Sequence, residues 1–210
     1  MNCHSRRYIY YSGLPGDLRY IYYVQIKSFT KMLALEYSGF SKWFDGLFEN
    51  DHELSLQREI IICEENFQIA GISILKRNAD ERKICTLRVD KRFRRLGIGR
   101  ELIELSFQWL GDEKPLITVQ GIKEPQYRAL FNRYGFKLEQ ENRNYYRLFS
   151  TELAYNGELP SKKMELCKIE MIDLSDYIVH LLQLGVEDVS AILNLALKNQ
   201  VNRHKLAKGF

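Results

Sequence analysis

RVDKRFRRLGIGRELIELSFQWL, residues 88–110, sets four arginines and a lysine ahead of two closely spaced glycines, Gly97 and Gly99, and then runs into an apolar pattern of helical spacing. The stretch before it, KICTLRV (83–89), is rich in β-branched and apolar residues and reads as a strand. The first turn of a helix leaves backbone N–H groups without an intrahelical acceptor and carries a partial positive charge. Glycines remove the Cβ atoms that would hold an anion off the backbone, and they permit the positive φ of an amide-lined nest. Arg94-Arg95-Leu96-Gly97-Ile98-Gly99-Arg100 therefore reads as a cradle for a pyrophosphate, with the arginines adding ion pairs. The competing reading is a solvated basic turn. The placement between a strand and a helix favours the cradle.

Working outward, RRYIYYS (6–12) reads as a strand that stops at Gly13-Leu14-Pro15-Gly16. Asp17 is the expected N-cap of a helix carrying Leu18, Ile21, Tyr22, Ile26, Phe29, Met32 and Leu33 on one stripe. SKWFDGLFEN (41–50) reads as a second, short helix. EIIICE (59–64) and FQIAGISILK (67–76) read as a hairpin around Glu65-Asn66. After the helix that Gly111 ends come LITV (116–119), a helix over 124–136 with Pro125 in its first turn, and a last hairpin of KLEQE and NYYRLF around Asn142-Arg143. The order β-α-α-β-β-β-α-β-α-β-β fills residues 6–150. It predicts an α/β (α+β) domain over 1–150, with helices flanking a mostly antiparallel mixed sheet. Residues 151–163 are polar, with Gly157 and Pro160, and read as a linker to a small all-helical segment at 164–210.

The totals permit one well-packed domain: 210 residues, 45% hydrophobic and 12% aromatic. A net charge of +4 suits an anionic ligand and a nucleic-acid surface equally. Cys3, Cys63, Cys85 and Cys167 form no CxxC pair and read as reduced packing residues. The four scattered histidines have no zinc-ligand spacing, so no metal is expected. There is no apolar stretch of signal-peptide or membrane-span length, which leads to the expectation of a cytoplasmic protein with no membrane partner.

VDKRFRRLGIGRELIE (89–104) resembles the acetyl-CoA-binding motif of the GNAT superfamily of N-acetyltransferases, Gln/Arg-x-x-Gly-x-Gly/Ala after the fourth strand. Tyr134-Gly135-Phe136 is similar to the Gly-Phe element that closes the family's next helix, and the element order over 6–150 also fits. The resemblance implies the family's fold and acetyl-CoA as co-substrate. It implies that Arg94 opens the motif and that the backbone amides of Arg95, Leu96, Gly97, Ile98, Gly99 and Arg100 hold the pyrophosphate. It implies further that Leu87 and Val89 pair with the pantetheine arm as with an added strand, in a gap where the fourth and fifth strands splay apart. An N–H near Leu87 or Arg88 would then polarise the thioester carbonyl.

The family's usual acid–base residues are not matched. The tyrosine that often protonates the departing thiolate corresponds to Phe131, a CoA-contacting asparagine to Glu124, and a carboxylate of the fourth strand to Lys83. Tyr127, Tyr134, Tyr145 and Tyr146 are left as substitute acids, and Glu36 and Glu64 as bases, with Glu36 and Tyr134 taken as the catalytic candidates. Packing for each tyrosine and a solvated surface for each carboxylate are the competing readings. A thiolate is a good leaving group, so the absent tyrosine slows turnover without forbidding it.

HLLQLGVEDVSAILNLALKNQVNRHK (180–205) resembles a helix-turn-helix with a basic last helix. A DNA contact and a hairpin packed on the main domain or on a second subunit of a homodimer both stay open for 164–210. Two functions follow. One is an acetyl-CoA-dependent N-acyltransferase acting on a small-molecule or protein amine. The other is an acetyl-CoA-binding, DNA-associated regulator with little turnover.

Overall fold

The computed structural model describes residues 5–37, 39–49, 56–147 and 150–160. Seven strands form one sheet: β1 (Arg6–Tyr10), β2 (Arg58–Glu65), β3 (Gln68–Arg77), β4 (Arg82–Val89), β5 (Leu116–Gln120), β6 (Leu138–Arg143) and β7 (Thr151–Tyr155). Their spatial order is β1-β2-β3-β4-β5-β7-β6, and β4–β5 is the parallel pair in an otherwise antiparallel sheet. Among the described residues four α-helices flank it: α1 (Gly16–Thr30), α2 (Phe40–Gly46), α3 (Ile98–Leu110) and α4 (Glu124–Arg133).

β2 explains why the run IIIC does not alternate in polarity. Ile60 and Ile62 pack into a core with Tyr22, Ile26 and Phe44 of α1 and α2, while Ile61 and Cys63 pack into a second core with Leu102, Ile103 and Phe131 of α3 and α4. Both faces of the strand are covered, so both sets of side chains are apolar. The β2–β3 turn is made by Asn66 and Phe67, both at positive φ (50° and 63°), the geometry a two-residue hairpin loop needs. Asp17 lies in the first turn of α1. The N-cap is Pro15, with no side-chain cap bond. The apolar stripe ending at Met32 and Leu33 continues past α1 as a 3-10 turn, Lys31–Leu35.

One expected element is corrected. The strand that pairs with both β5 and β6 is Thr151–Tyr155, inside the stretch read as a linker, and NYYRLF is not the second arm of the hairpin. TELAY does alternate, with Leu153 turned to the α3–α4 core, but it carries a glutamate where a buried strand face normally has a hydrophobe. Leu159 is also buried, against Leu116 and Ala154, so the domain runs on to the end of the described residues at 160. The helical segment at 164–210 and its helix-turn-helix reading lie outside the described residues.

α3 is held tightly to the sheet. Ile98, Leu102, Ile103, Ser106 and Leu110 form its buried stripe, and the Ser106 and Ser73 hydroxyls share a buried hydrogen bond of 2.9 Å. At Gly71 of β3 the helix comes so close that a Cβ would lie 3.0 Å from Ile98 Cγ2, 3.0 Å from Leu102 Cδ1 and 3.1 Å from the Arg88 carbonyl oxygen. Gly71 thus sets the height at which the N-terminus of α3 sits over β4. Gly71→Ala is expected to cost about 1–3 kcal/mol in denaturant unfolding through overpacking. Gly46→Ala, in α2 where no atom lies within 4 Å of the added Cβ, is the control without overpacking and is expected to keep or slightly raise stability.

Candidate active site

The site begins with one extra residue. Ile74 faces Thr86 and Leu75 faces Ile84, which leaves Cys85 unpaired against β3 as a β-bulge in β4. On its other edge β4 pairs with β5 only at Lys83–Leu116 and Ile84–Ile117. A bulge bends its strand and sharpens the local twist, and here it coincides with the point where the parallel pairing stops. Between the ends of the two strands lies a cavity of about 40 Å³, with Leu87, Thr118, Glu36, Lys123, Tyr127 and Phe131 among its walls.

Past the bulge, backbone alternation decides which β4 groups face this gap. The Asp90 N–H donates to Ala70 of β3, so the polar groups of Leu87 and Val89 point the other way. Both of their carbonyls are engaged by side chains. The Tyr127 hydroxyl donates to Leu87 O at 2.9 Å, and Arg94 Nε donates to Val89 O at 3.4 Å. The Arg88 side chain leaves on the opposite face, its guanidinium 5.7 Å from the Phe29 ring centre of α1.

The glycine corner sits at the open end of the gap. Arg95 (φ 64°) and Gly97 (φ 85°) are both left-handed, and Gly97 is the N-cap of α3. The Arg100 and Glu101 amides are the first to bond back, both to Gly97 O. The Gly97, Ile98 and Gly99 amides precede that first bond and have no acceptor within the helix. Ile98 is buried beneath the corner, whereas Arg94, Arg95, Leu96 and Arg100 are exposed. The corner is pinned from a distant strand: Arg6 of β1 donates to Leu96 O at 3.0 Å, lies 3.5 Å from Glu101, and is itself anchored on Glu65 at 2.7 Å. The Glu101 charge beside an anion cradle is thereby partly neutralised. Nothing in the motif itself announces Arg6, which is 90 residues away.

The opposite wall of the gap is polar and buried. Glu36, at the end of the 3-10 turn after α1, is ion-paired with Lys123, and Gln120 Nε2 donates to the Glu36 carbonyl at 3.3 Å. Burial pushes the Lys123 ammonium down, against the upward pull of Glu36. Glu152 of β7 stands opposite Gln120 in register and is 1% exposed. Neither of its carboxylate oxygens has a hydrogen-bond partner within normal geometry. Burial, opposed by Thr118 and Lys83, pushes its pKa up to about 7. Lys123, Gln120 and Glu152 escaped the sequence reading because strands and turns far apart in the chain supply them.

The other expected site residues fall elsewhere. Tyr134 donates to Glu104 at 2.7 Å and packs edge-on against Phe107, away from the residues that line the gap. Glu64 is tied to Arg7 and accepts from the Tyr22 hydroxyl at 2.8 Å on β2. Glu124 pairs with Arg128 one helical turn on, and the Tyr145 hydroxyl donates to Pro160 O. Tyr146 packs edge-on against Tyr37, and Lys83 lies 3.8 Å from Glu81. Phe131 is buried beneath Tyr127, with ring centres 5.6 Å apart. Tyr127, named from sequence as a substitute acid, has its hydroxyl on the β4 backbone in the gap.

The Glu152 shift has a thermodynamic consequence. The unfolded chain releases this proton near the ordinary 4.5 and the folded protein near 7, so the folded state binds more protons between those values. Stability therefore falls as pH rises through that window. Glu152→Gln cannot ionise, and its melting temperature is expected to match wild type near about pH 4.5 and to exceed it above about pH 7, by about 1–3 kcal/mol of stability. Thermal melts at both ends of the range check this.

Among the described residues no helix is long and apolar enough to cross a membrane, and no cluster of three His, Cys, Asp or Glu side chains could hold a metal. No curated protein matches the chain. Among solved structures, a GNAT-family protein from Desulfovibrio desulfuricans superposes with a TM-score of 0.55 at 15% identity, covering 72% of this chain and 97% of its own. A GNAT family acetyltransferase from Elizabethkingia anophelis, solved with acetyl-CoA bound, gives 0.48 at 16% identity over 74% and 97% of the two chains. An acetyltransferase from Bacillus subtilis in complex with CoA gives 0.49 at 13% identity over 74% and 100%. The first of these likenesses agrees with the fold traced above. Sequence goes further, because the acetyltransferase (GNAT) domain model matches residues 40–147, from the start of α2 into the connection that follows β6. A match over more than half of the sequence makes the chain a member of the GNAT family of acetyltransferases, and so of the acyltransferase class.

Proposed function

We propose that the protein is an acetyl-CoA-dependent N-acyltransferase that passes an acetyl group to an amine. The observation that carries this reading is the β4 edge beyond the Cys85 bulge, where the Leu87 and Val89 backbone groups face a gap that opens onto the amide-lined corner of α3. An edge of unpaired strand groups accepts an extended amide-bearing arm as it would another strand. Acetyl-CoA supplies such an arm, a pyrophosphate at one end and an activated acetyl thioester at the other. Gly99 supports the fit. A Cβ there would stand 3.7 Å from Val89 Cγ2 and 3.8 Å from Leu130 Cδ2, ordinary contact distances, so packing alone does not demand a glycine. Passage of an arm between Val89 and Leu130 does.

In this reading the amides from Arg95 to Gly99 hold the pyrophosphate, the Arg100 amide being taken by Gly97 O, and the Arg94, Arg95 and Arg100 guanidinium groups add charge at its edge. Leu87 and Val89 pair with the arm, which takes their carbonyls from Tyr127 and Arg94. The Leu87 N–H, on the same side as its carbonyl, faces the thioester oxygen and stabilises the negative charge that builds there. Tyr127, freed from Leu87 O, is the acid for the departing thiolate in place of the tyrosine absent at position 131. Burial first, and Glu36 next, raise its pKa, so the hydroxyl holds its proton at neutral pH. Glu36, tied to Lys123, shapes the acceptor side and does not itself remove a proton.

Two variants test this reading. Gly99→Val should weaken acetyl-CoA binding by at least about 10-fold in calorimetry while leaving the circular dichroism spectrum unchanged, since a branched side chain fills the arm's path. Unchanged affinity in a folded variant would discard the assignment. Tyr127→Phe should lower kcat for CoA release by about 10²-fold without weakening acetyl-CoA binding. A wild-type rate would return the tyrosine to a packing role.

A further inference from the structure

Glu152 is a buried carboxylate whose two oxygens have no hydrogen-bond partner within normal geometry, on β7, which pairs with the far edge of β5, the strand that borders the proposed catalytic gap. Strand alternation sets its direction. Leu153 enters the core shared with α3 and α4, so Glu152 points to the opposite face, where α1 and the turn carrying Glu36 lie. On that face it stands beside Gln120, which bonds Glu36, and Thr118, which lines the cavity. Burying a polar group without a partner is costly, and native structures keep such groups where something else satisfies them.

We propose that Glu152 receives the ammonium group of the acceptor and removes its proton, so that the acceptor is a cationic primary amine bound on the α1 side of the gap. The inference rests on the N-acyltransferase reading and names its missing base. The lack of a counter-ion supports it. Among the described residues no cation is ion-paired with Glu152: Lys123 is taken by Glu36, and Lys76 and Lys83 both lie by Glu81, so an ammonium group of the acceptor fits as its partner. The other ionisable groups acting on this carboxylate are Tyr37, Tyr145 and Tyr146, all with hydroxyls raised by burial and therefore neutral near pH 7. In a dry site an ammonium–carboxylate pair is poorly solvated, and transfer of the proton from nitrogen to oxygen leaves two neutral partners. A base that titrates near 7 is also suited to this task.

The step balances without a further reactant. One ammonium proton moves to a Glu152 oxygen. The nitrogen lone pair forms the C–N bond at the thioester carbonyl, the C–S bond breaks, and its electron pair leaves on sulfur. Tyr127 gives its proton to that sulfur and recovers the second proton from the nitrogen. Glu152 then releases its proton to solvent. Ammonium and thioester become amide, thiol and one proton.

The test compares two small nucleophiles in the intact protein, n-butylamine, an ammonium at neutral pH, and methoxyamine, which is already neutral. For the wild type, kcat/KM with n-butylamine should rise with pH through an ionisation near 7. In Glu152→Gln the n-butylamine rate should fall by at least about 10²-fold and lose that ionisation, while the methoxyamine rate changes by less than about 10-fold. Equal losses with both nucleophiles, or no loss with either, overturn the proposal and leave the acyltransferase reading standing. Wild-type protein that binds acetyl-CoA but releases no thiol with n-butylamine overturns it too. Calorimetry with acetyl-CoA separates the two ideas, because absence of binding by the wild type removes the underlying reading first.

Discussion

The extra residue at Cys85 is the constraint on which the rest of the molecule depends. A regular β4 would continue its ladder against β5, and the sheet would close with its backbone groups paired. The bulge instead ends that pairing after Ile84 and Ile117, and it leaves the Leu87 and Val89 edge facing open space. An open edge in the middle of a sheet is costly unless its groups find other partners. The protein supplies them from side chains, Tyr127 on Leu87 and Arg94 on Val89, which a bound arm can displace.

The two ends of the gap follow from different physics. At the corner, backbone conformation does the work: Arg95 and Gly97 are left-handed, α3 starts there, and Gly71 lets the helix rest close on β3. Each of these is a local steric matter, and Arg6 secures the result by gripping Leu96 and Glu101. The proposed acceptor side is instead a matter of charge in a poorly solvated place. The Lys123–Glu36 pair is nearly closed to solvent, and Glu152 sits beside it with neither oxygen hydrogen-bonded. Buried ionic groups add little net stability, since desolvation offsets most of their attraction. Their presence here fits a site better than a structural support.

Much of the fold was legible because its signals are local. Glycine-induced turns, the apolar stripe of α3, the Asn66 turn and the order of strands and helices are each written within about a dozen consecutive residues. The strand at 151–155 was missed for a related reason. Its alternation is present, but Glu152 occupies a buried position that sequence reasoning reserves for hydrophobes. The polar residues after it then suggested a linker.

The turn from Arg94 to Arg100 could be read from the sequence, because it is made by neighbouring residues and their φ angles, whereas Arg6, which pins it, could not. Which side chains stand by the gap could be decided only by tertiary structure. Tyr134 and Tyr127 are seven positions apart on one short stretch and look equivalent on paper, yet the packing of α4 aims one at Glu104 and the other at Leu87. Glu36, Lys123 and Glu152 come from three separate parts of the chain. Burial and mutual distance set the charge each can hold, and neither quantity exists until the chain has folded.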